Sequence, residues 1–256
     1  MKEKKRVRLI VIAVLLVIAA VCMLAAANYF RNELKAKEAE DKAKQKVEQV
    51  EVDITKEEKE EKPAPEIPID FASLQQTNPE VYAWINVPGT RIDYPVLQTE
   101  DDEYYLNHTW EKQEAVAGSI YTQKYNSKDF SDYNTVIYGH EMRDGTMFKD
   151  LHRYLEDGFM EQNQDVTIYT PEHIYKYKIF SAVIYDDRHL LYAYDFNNAE
   201  DRAAFLQSLK DSRDMRNVYA DNIQVTPEDK IITMSTCVGS EETHRLLVNA
   251  VLVETQ

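Results

Sequence analysis

The sequence predicts a mainly β protein, a closed or nearly closed β-barrel with a few peripheral helices. Two observations predict this class. From about Phe71 to Gln256, aromatic and β-branched residues alternate with polar ones in short runs, and turn signals separate most of these runs. Helical spacing of apolar residues is confined to few segments. Many short strands with few helices are typical of a closed barrel.

The predicted strands share this alternation over four to thirteen residues. The region as a whole has no internal sequence repeat that would indicate a solenoid or a propeller. The strand candidates are Ala83 to Val87, Tyr94 to Gln98, Ser119 to Thr122, Thr135 to Tyr138, Val166 to Thr170, Ile174 to Asp186, Lys230 to Thr236 and His244 to Val253.

Three segments favour helix instead of strand. Phe71 to Trp84 begins the domain as a helical segment, in which Asn78-Pro79 is a break or a second start. Met147 to Leu155 is predicted as a short helix. Asn198 to Met215 has apolar residues at helical spacing, and Asn198 is placed to cap the first turn.

The first 70 residues differ from the rest. Residues 1–8 form a basic tail, and residues 9–27 are an uncharged apolar run. At a rise of about 1.5 Å per residue such a helix spans roughly 28 Å, close to the roughly 30 Å hydrocarbon layer of a bilayer. We therefore expect a single-pass membrane anchor with a cytoplasmic amino terminus and an extracytoplasmic domain. The alternative is a signal peptide cleaved near Ala25 to Ala27.

Residues 28–70 are rich in Lys, Glu, Asp, Ala and Gln and end in spaced prolines. This composition predicts a charged stalk, helical in its first part and extended near the prolines. Residues 71–256, about 190 residues, suit one catalytic domain.

The formal net charge is −15, which argues against a nucleic-acid partner. A phosphate-cradling glycine loop, a dinucleotide fingerprint and metal-ligand spacing are all missing from the sequence, so no cofactor and no metal are expected.

The chain has two cysteines, Cys22 inside the apolar run and Cys237 near the carboxyl end. They are not placed to pair. A single thiol in an exported domain is either reactive or a small buried apolar residue.

Strand-like alternation runs directly into Cys237. In an extended chain Ser235 and Cys237 share a face, and the strand stops just before Gly239. Arg245 opens the next strand after a short connection, so the two strands are expected to be antiparallel neighbours. A guanidinium would then lie beside the thiol, where it could stabilise an oxyanion. The alternative is a solvated surface arginine.

A third strand, ending at Tyr138, leads into Gly139-His140, so His140 also stands at a strand end. The other histidines are His108, His152, His173, His189 and His244. Of these, His244 is the rival to His140 because it is next to Arg245. Strand alternation, however, points His244 and Arg245 to opposite faces.

These segments together resemble class B sortases. The resemblance rests on Thr233 to Cys237, on Arg245 in the following strand and on Tyr138 to His140. Trp84 to Val96 and Asp144 to Phe148 support it, so it covers nearly all of the region after the stalk.

The resemblance implies an eight-stranded sortase barrel with a helix before the nucleophile strand. It also implies a cysteine transpeptidase that cleaves a sorting motif near the carboxyl terminus of a secreted protein, at a Thr carbonyl, and joins the acyl group to a peptidoglycan amine. Such a wall-anchoring role belongs to a Gram-positive envelope. The residues it implies are His140, Cys237 and Arg245 for catalysis and Tyr138, Ser235 and Leu106 for substrate binding.

Two departures from the family pattern stand out. Met234 replaces the usual Leu, a swap of similar volume. The connection from Val238 to His244 is shorter than in some members, which leaves any substrate contacts from it open.

Other functions remain open at the level of sequence. A cysteine peptidase that only hydrolyses would share Cys237 and His140, and an L,D-transpeptidase-like β domain is a further alternative. A papain-like fold is disfavoured because its nucleophile lies near the mature amino terminus. A membrane-tethered binding module would make Cys237 incidental.

Overall fold

A computed structural model of the chain describes residues 65–256 apart from Ser240, and scattered residues between 23 and 42. The predicted basic tail, residues 1–8, and all of the predicted membrane span except a few residues after Cys22 lie outside the described residues. Among the residues that are described, no helix combines the length and the apolar character needed to cross a bilayer.

Part of the predicted stalk, residues 28–70, contacts the domain. The indole Nε1–H of Trp110 donates to the carbonyl of Ala39, and Ala39 is buried in a cluster with Leu74 and Trp110. Nearby, Lys42 Nζ lies 3.4 Å from a carboxylate oxygen of Glu111. At least this stretch therefore packs on the domain instead of standing free of it.

Nine strands form one sheet in the order β5-β1-β2-β3-β4-β8-β9-β6-β7. A further pairing of β5 with β6 closes eight of them into a ring, and the short β7 adds to β6 outside it. The predicted mainly β, eight-stranded barrel is thereby confirmed. The strands are β1 (Val81–Asn86), β2 (Asp93–Leu97), β3 (Ile120–Thr122), β4 (Asn134–Tyr138), β5 (Asp165–Tyr169), β6 (Ile174–Asp186), β7 (Val218–Tyr219), β8 (Ile231–Val238) and β9 (Glu241–Thr255).

Helices lie between the strands and at the periphery of the barrel. The longest helix within residues 65–256 precedes the strand that carries Cys237, as the family resemblance implies. Its cap is as predicted, since Asn198 Oδ1 accepts from the backbone N–H of Glu200 at 2.8 Å. Within residues 65–256 the helices are α1 (Phe71–Thr77), α2 (Phe159–Gln162), α3 (Leu190–Ala193) and α4 (Ala199–Asp211), with 3₁₀ turns at Tyr104–Leu106 and Lys149–Leu155. The described residues between 23 and 42 are also helical.

The prediction of helix from Phe71 to Trp84 is wrong after Thr77. Asn78 is extended, as the residue before a proline prefers to be, and its N–H closes the helix on the carbonyl of Leu74. The Asn78 side chain is fully buried and donates to the Trp110 carbonyl at 2.7 Å. This anchor ends α1 and lets β1 begin at Val81.

Two other helix predictions need adjustment. The segment predicted as Met147 to Leu155 is a 3₁₀ helix from Lys149 to Leu155. The helix predicted to reach Met215 ends at Asp211, and Met215 is fully exposed. An exposed apolar residue beyond the last buried position, Leu209, does not extend a helix that packing stabilises.

The two faces of the barrel wall differ in what they contact. Ile232 and Met234 of β8 point into the main core inside the ring. Thr233, Ser235 and Cys237 alternate with them and therefore lie on the outer face. At the start of β4 and β8 this outer face is covered by α4, whose Phe205 packs in the same buried cluster as Val136, Ile231 and Leu247.

Candidate active site

Cys237 lies near the end of β8, directly opposite Arg245 of β9. The carbonyl of Ser235 accepts from the backbone N–H of Gly139, the residue that follows β4, at 3.2 Å. Because backbone groups alternate along a strand, Ser235 and Cys237 both direct theirs toward β4. Cys237 and Arg245 therefore form a pair without backbone hydrogen bonds between them. In such pairs the Cα atoms are about 4.5 Å apart and the side chains are close together on one face. Cys237 is a free thiol and is partly exposed.

Backbone carbonyls hold the guanidinium of Arg245. Its Nη1 donates to the carbonyl of Glu242 at 3.0 Å and to that of His244 at 2.8 Å. Just past Cys237 the pairing shifts register, from Cys237↔Arg245 to Val238↔Glu241. The shift places extra residues of β9 beside the arginine, and the carbonyls of two of them fix the direction of its guanidinium.

His140 comes to the same end of the barrel on the neighbouring strand. β4 and β8 run parallel, and Tyr138 of β4 is in register with Ser235 of β8. His140 follows Tyr138 by two residues, as Cys237 follows Ser235. The parallel register therefore brings the partly exposed His140 to the same edge as Cys237.

The ring of His140 is held by Leu106. Its Nε2 lies 2.7 Å from the Leu106 carbonyl oxygen, which can only accept, so Nε2 carries the hydrogen. In the neutral ring Nδ1 is then the acceptor. The side chain of Leu106 is 39% exposed, so it offers an apolar surface next to the imidazole.

Tyr138 stacks on Tyr121 of β3, with ring centroids 5.5 Å apart. Burial raises the pKa of both phenols above the ordinary value, and the nearby carboxylate of Asp102 raises both further. The two hydroxyls therefore stay neutral donors at physiological pH. Ser235, which faces Tyr138 across the strand pair, is 7% exposed.

His244, the sequence-level rival, lies elsewhere. It pairs with Asp186 of β6, while Arg245 pairs with Tyr185, so the continuous register alternates their side chains as expected. His244 lines a cavity of about 540 Å³ together with Asp186, Asp211 and Asp214. Its Nδ1 is 3.6 Å from a carboxylate oxygen of Glu241.

Sequence reasoning missed three residues around the thiol. Tyr121 stacks on Tyr138, which is in register with Ser235 of the strand that carries Cys237. His152 Nε2 is 3.0 Å from the backbone carbonyl of Cys237. Glu141 accepts from the backbone N–H of Gly239. Only Glu141 carried a signal, because it is a charged residue placed directly after a strand-end histidine.

A paired arginine and aspartate hold the loop after His140. Arg91 Nη2 and Nε donate to the two carboxylate oxygens of Asp150 at 2.9 and 3.1 Å, and the Arg91 guanidinium packs against Gly145 in that loop. Gly145 has φ +87°, and a Cβ there would meet Arg91 Nη2 at 2.1 Å. Only glycine fits both demands.

In the described part of the chain, no cluster of three His, Cys, Asp or Glu side chains has metal-binding geometry. The groups that the strand register brings to this edge are the Cys237 thiol, the His140 imidazole and the Arg245 guanidinium, a set that suits nucleophilic attack on a carbonyl.

Comparison with known proteins gives the family. Residues 85–253 match the model of the sortase domain. The chain is 34% identical over 190 residues to sortase B of Listeria monocytogenes, covering 73% of this chain and 76% of the relative. A Staphylococcus aureus sortase B–substrate complex superposes with a TM-score of 0.73 at 29% identity, covering 88% of this chain and 99% of that one. A sortase B complexed with triglycine superposes with a TM-score of 0.72 at 29% identity, covering 87% and 99%.

The sortase match spans most of the described barrel, and two of the matched structures carry a substrate and triglycine, respectively. The ring of eight strands and the helix before β8 agree with what the family resemblance implied. The chain belongs to the class B sortases, a family of cysteine transpeptidases.

Proposed function

We propose that Cys237 is the nucleophile of this transpeptidase, that His140 transfers the protons and that Arg245 stabilises the oxyanion. The single observation that supports these roles best is the pairing of Cys237 with Arg245 on the open outer face, at the edge that His140 also reaches. The substrate is a sorting motif near the carboxyl terminus of a secreted protein, and the acceptor is an amine of peptidoglycan.

In the first step the Cys237 thiol gives its proton to His140, and sulfur bonds to the carbonyl carbon of the motif's Thr. The oxyanion that forms lies beside the Arg245 guanidinium. The C–N bond then breaks, and His140 returns a proton to the departing amine. An acyl-thioester on Cys237 remains.

In the second step an amine attacks the thioester carbon and gives its proton to His140. The C–S bond breaks, the departing thiolate of Cys237 takes that proton from His140, and a new amide joins the secreted protein to the wall. The Leu106 carbonyl holds Nε2–H of His140 throughout, so the mobile proton is carried at Nδ1.

Substrate binding falls to the outer face next to these groups. Tyr138 offers a neutral phenol, Ser235 a hydroxyl beside it, and Leu106 an exposed apolar side chain. A bound peptide would then contact a wall of mixed apolar and hydrogen-bonding groups, as ligand sites usually present.

The acceptor proposal draws on the matched sortase B that is complexed with triglycine, a peptide with a free amine. The matched Staphylococcus aureus structure carries a substrate. Because a hydrolase and a transpeptidase share the first step, the acceptor amine decides the outcome here.

We place the enzyme in the cell membrane of a Gram-positive envelope. Residues 9–27 would anchor it once, with the amino terminus cytoplasmic, and residues 28–70 would connect the anchor to the catalytic domain outside. Tethering holds the enzyme near exported proteins and lipid-linked wall precursors, which raises their effective concentration.

The test uses the full chain in detergent micelles with a library of Thr-containing fluorogenic peptides, with and without triglycine. A peptide–triglycine product from wild type, missing with Cys237→Ala, is the expected result. Cleavage that never yields an amine adduct identifies a cysteine peptidase. Equal signal from wild type and Cys237→Ala would mean that the thiol is incidental and the barrel is a binding module.

A further inference from the structure

The carboxylate of Glu141 links the two strand ends that carry His140 and Cys237. Glu141 follows His140 directly in the chain, and its Oε2 accepts from the backbone N–H of Gly239, two residues after Cys237. An isolated bridge between Glu141 and Met147, and a hydrogen bond from Phe148 N–H to the His140 carbonyl at 2.9 Å, hold this part of the loop in place. The two strand ends are thus joined by a side chain.

This contact lies where the backbone pairing of β4 with β8 has ended. The last pair in register is Tyr138 with Ser235, and Gly139 makes the last backbone hydrogen bond, to Ser235. The Cys237 carbonyl points toward β4, like that of Ser235, but β4 has ended there and offers it no hydrogen-bond donor. His152 supplies one, because its Nε2 lies 3.0 Å from that oxygen. Side chains therefore replace the strand pairing around Cys237.

Glu141 and His152 belong to one cluster. Glu141 Oε2 is 3.6 Å from His152 Nε2, and Glu141 Oε1 forms an ion pair with Lys149 Nζ. The side chain of Glu141 is only 11% exposed. Burial alone would raise the pKa of Glu141, but the hydrogen bonds from Lys149 and Gly239 outweigh it and hold the pKa below its usual value. Glu141 is therefore an ionised acceptor at neutral pH.

We propose that Glu141 is a positioning residue, which sets the placement of the Cys237 thiol relative to the His140 imidazole through the Gly239 amide, with His152 holding the Cys237 carbonyl. This inference rests on the proposed roles of Cys237 and His140. Neither Glu141 nor His152 is given a part in the chemistry. Catalysis is sensitive to such placement, since a misplacement of about 1 Å can cost roughly 100-fold in rate.

The test compares kcat and KM of the full chain in detergent for Glu141→Ala, Glu141→Gln, His152→Ala and His152→Gln. The Ala variants are expected to lose about 10- to 100-fold in kcat with KM for the peptide nearly unchanged. Gln is expected to restore most of the rate at both positions, because it keeps an acceptor oxygen at 141 and an N–H donor at 152. The matched control is Glu161→Ala, an exposed glutamate of α2, which should retain wild-type kinetics.

A double-mutant cycle separates placement from loss of folding. If Glu141 acts through the placement of His140 and Cys237, then Glu141→Ala should cost little further rate in a His140→Ala background. Alkylation of Cys237 by iodoacetamide should remain within about threefold of wild type in Glu141→Ala, since the thiol itself stays exposed.

Three results would overturn the proposal. The first is a wild-type kcat in Glu141→Ala, and the second is additive losses of rate in the double-mutant cycle. The third is a melting temperature of Glu141→Ala so low that unfolding explains its loss of rate, together with a Glu141→Gln variant that is equally impaired. A dead Cys237→Ala beside a fully active Glu141→Ala would refute this inference alone. An active Cys237→Ala would instead refute the proposed function.

Discussion

The outer face of β4, β8 and β9 is covered at one end and open at the other. At the covered end, Phe205 and Leu209 of α4 lie over the wall, and Thr233 and Asn249 beneath it are fully buried. Thr233 Oγ1 lies 2.9 Å from Asn249 Oδ1, and Asn249 Nδ2 donates to Ser181 Oγ at 3.0 Å, so these two polar side chains are bonded within the protein. At the open end, Cys237 and Arg245 lie on the same strands and the same face but remain partly exposed.

The difference shows how one strand serves two purposes. Thr233 and Cys237 are four residues apart on one face of β8, roughly 13 Å at about 3.3 Å per residue. The buried end fixes the strand in its register, and that register holds Cys237 opposite Arg245 at the open end. Rigid placement of a reactive group by a packed element is how scaffolds present functional residues.

The largest effect should come from the open end. Cys237→Ala is expected to lower transpeptidation by at least about 10⁴-fold, because no other described group can form the thioester. Its melting temperature should stay near that of wild type, since the thiol is partly exposed. Turnover with triglycine and thermal unfolding, measured on the same preparation, check both. A large drop in melting temperature would show that the open end also supports the fold.

The reverse pattern is expected from the covered end. Phe205→Ala removes a fully buried ring and should lower the free energy of unfolding by about 3–5 kcal/mol. The rate per folded molecule should change little. Denaturant unfolding together with kinetics at a temperature where both proteins are folded measures this, and the exposed Lys210→Ala on the same helix serves as control. A large kinetic defect in folded Phe205→Ala would show that the covered end affects the rate as well as the stability.

Arg245 tests how specific the open end is. Arg245→Ala is expected to reduce kcat/KM by about 10²- to 10³-fold, the loss typical of one oxyanion donor. In Arg245 one nitrogen, Nη1, bonds two backbone carbonyls, which leaves the other guanidinium nitrogens to donate to an oxyanion. Arg245→Lys keeps the charge but has one nitrogen for both tasks, so it should recover only part of the activity. Full activity in Arg245→Lys would mean that charge alone is needed there.

Acid should loosen the open end before the covered end. The pKa values of Glu141 and Asp150 are held below their usual values, in Asp150 chiefly by hydrogen bonds from Arg91. Their stabilising contribution is therefore complete above the ordinary carboxyl pKa of about 4 and is lost as pH falls through the lower folded values. The apolar contacts of Phe205 do not titrate.

Amide hydrogen exchange between pH 5 and pH 2.5, corrected for intrinsic rates, measures this difference. The Gly239 amide should lose protection earlier than amides of β8 beneath α4. Glu141→Gln should remove most of that pH dependence. Simultaneous loss of protection at both ends would argue that the barrel opens as one unit.

Much of the fold followed from alternation. β6 was predicted with the bounds that it has, and most other strands within two or three residues, because each is a run of aromatic and β-branched residues that turn residues delimit in the sequence. Helix was predicted past Thr77 because Tyr82 to Trp84 continue the apolar spacing of α1. In the structure these residues belong to β1, which pairs with β2. Periodicity cannot decide between two partners that are distant in sequence.

The sequence predicted the candidate site only through residues that stand at the ends of predicted strands. Cys237, His140 and Arg245 stand at such ends, so topology brings them to one edge. The contacts of His152 and Glu141 were not predictable, because they depend on a loop that returns to β8 across 85 to 98 residues of chain. The docking of Ala39 on Trp110 likewise has no local pattern.

Closure of the ring by the pairing of β5 with β6 affects which groups of the barrel can bind a peptide. Each of the eight ring strands already has a neighbour on both sides. Along these paired segments an extended ligand finds no vacant backbone ladder, so we expect the side chains above the wall to recognise it. Selectivity can then evolve by exchanging a few such side chains without disturbing the strands. Satisfied edges also allow many copies to crowd on one surface without sheet-to-sheet aggregation.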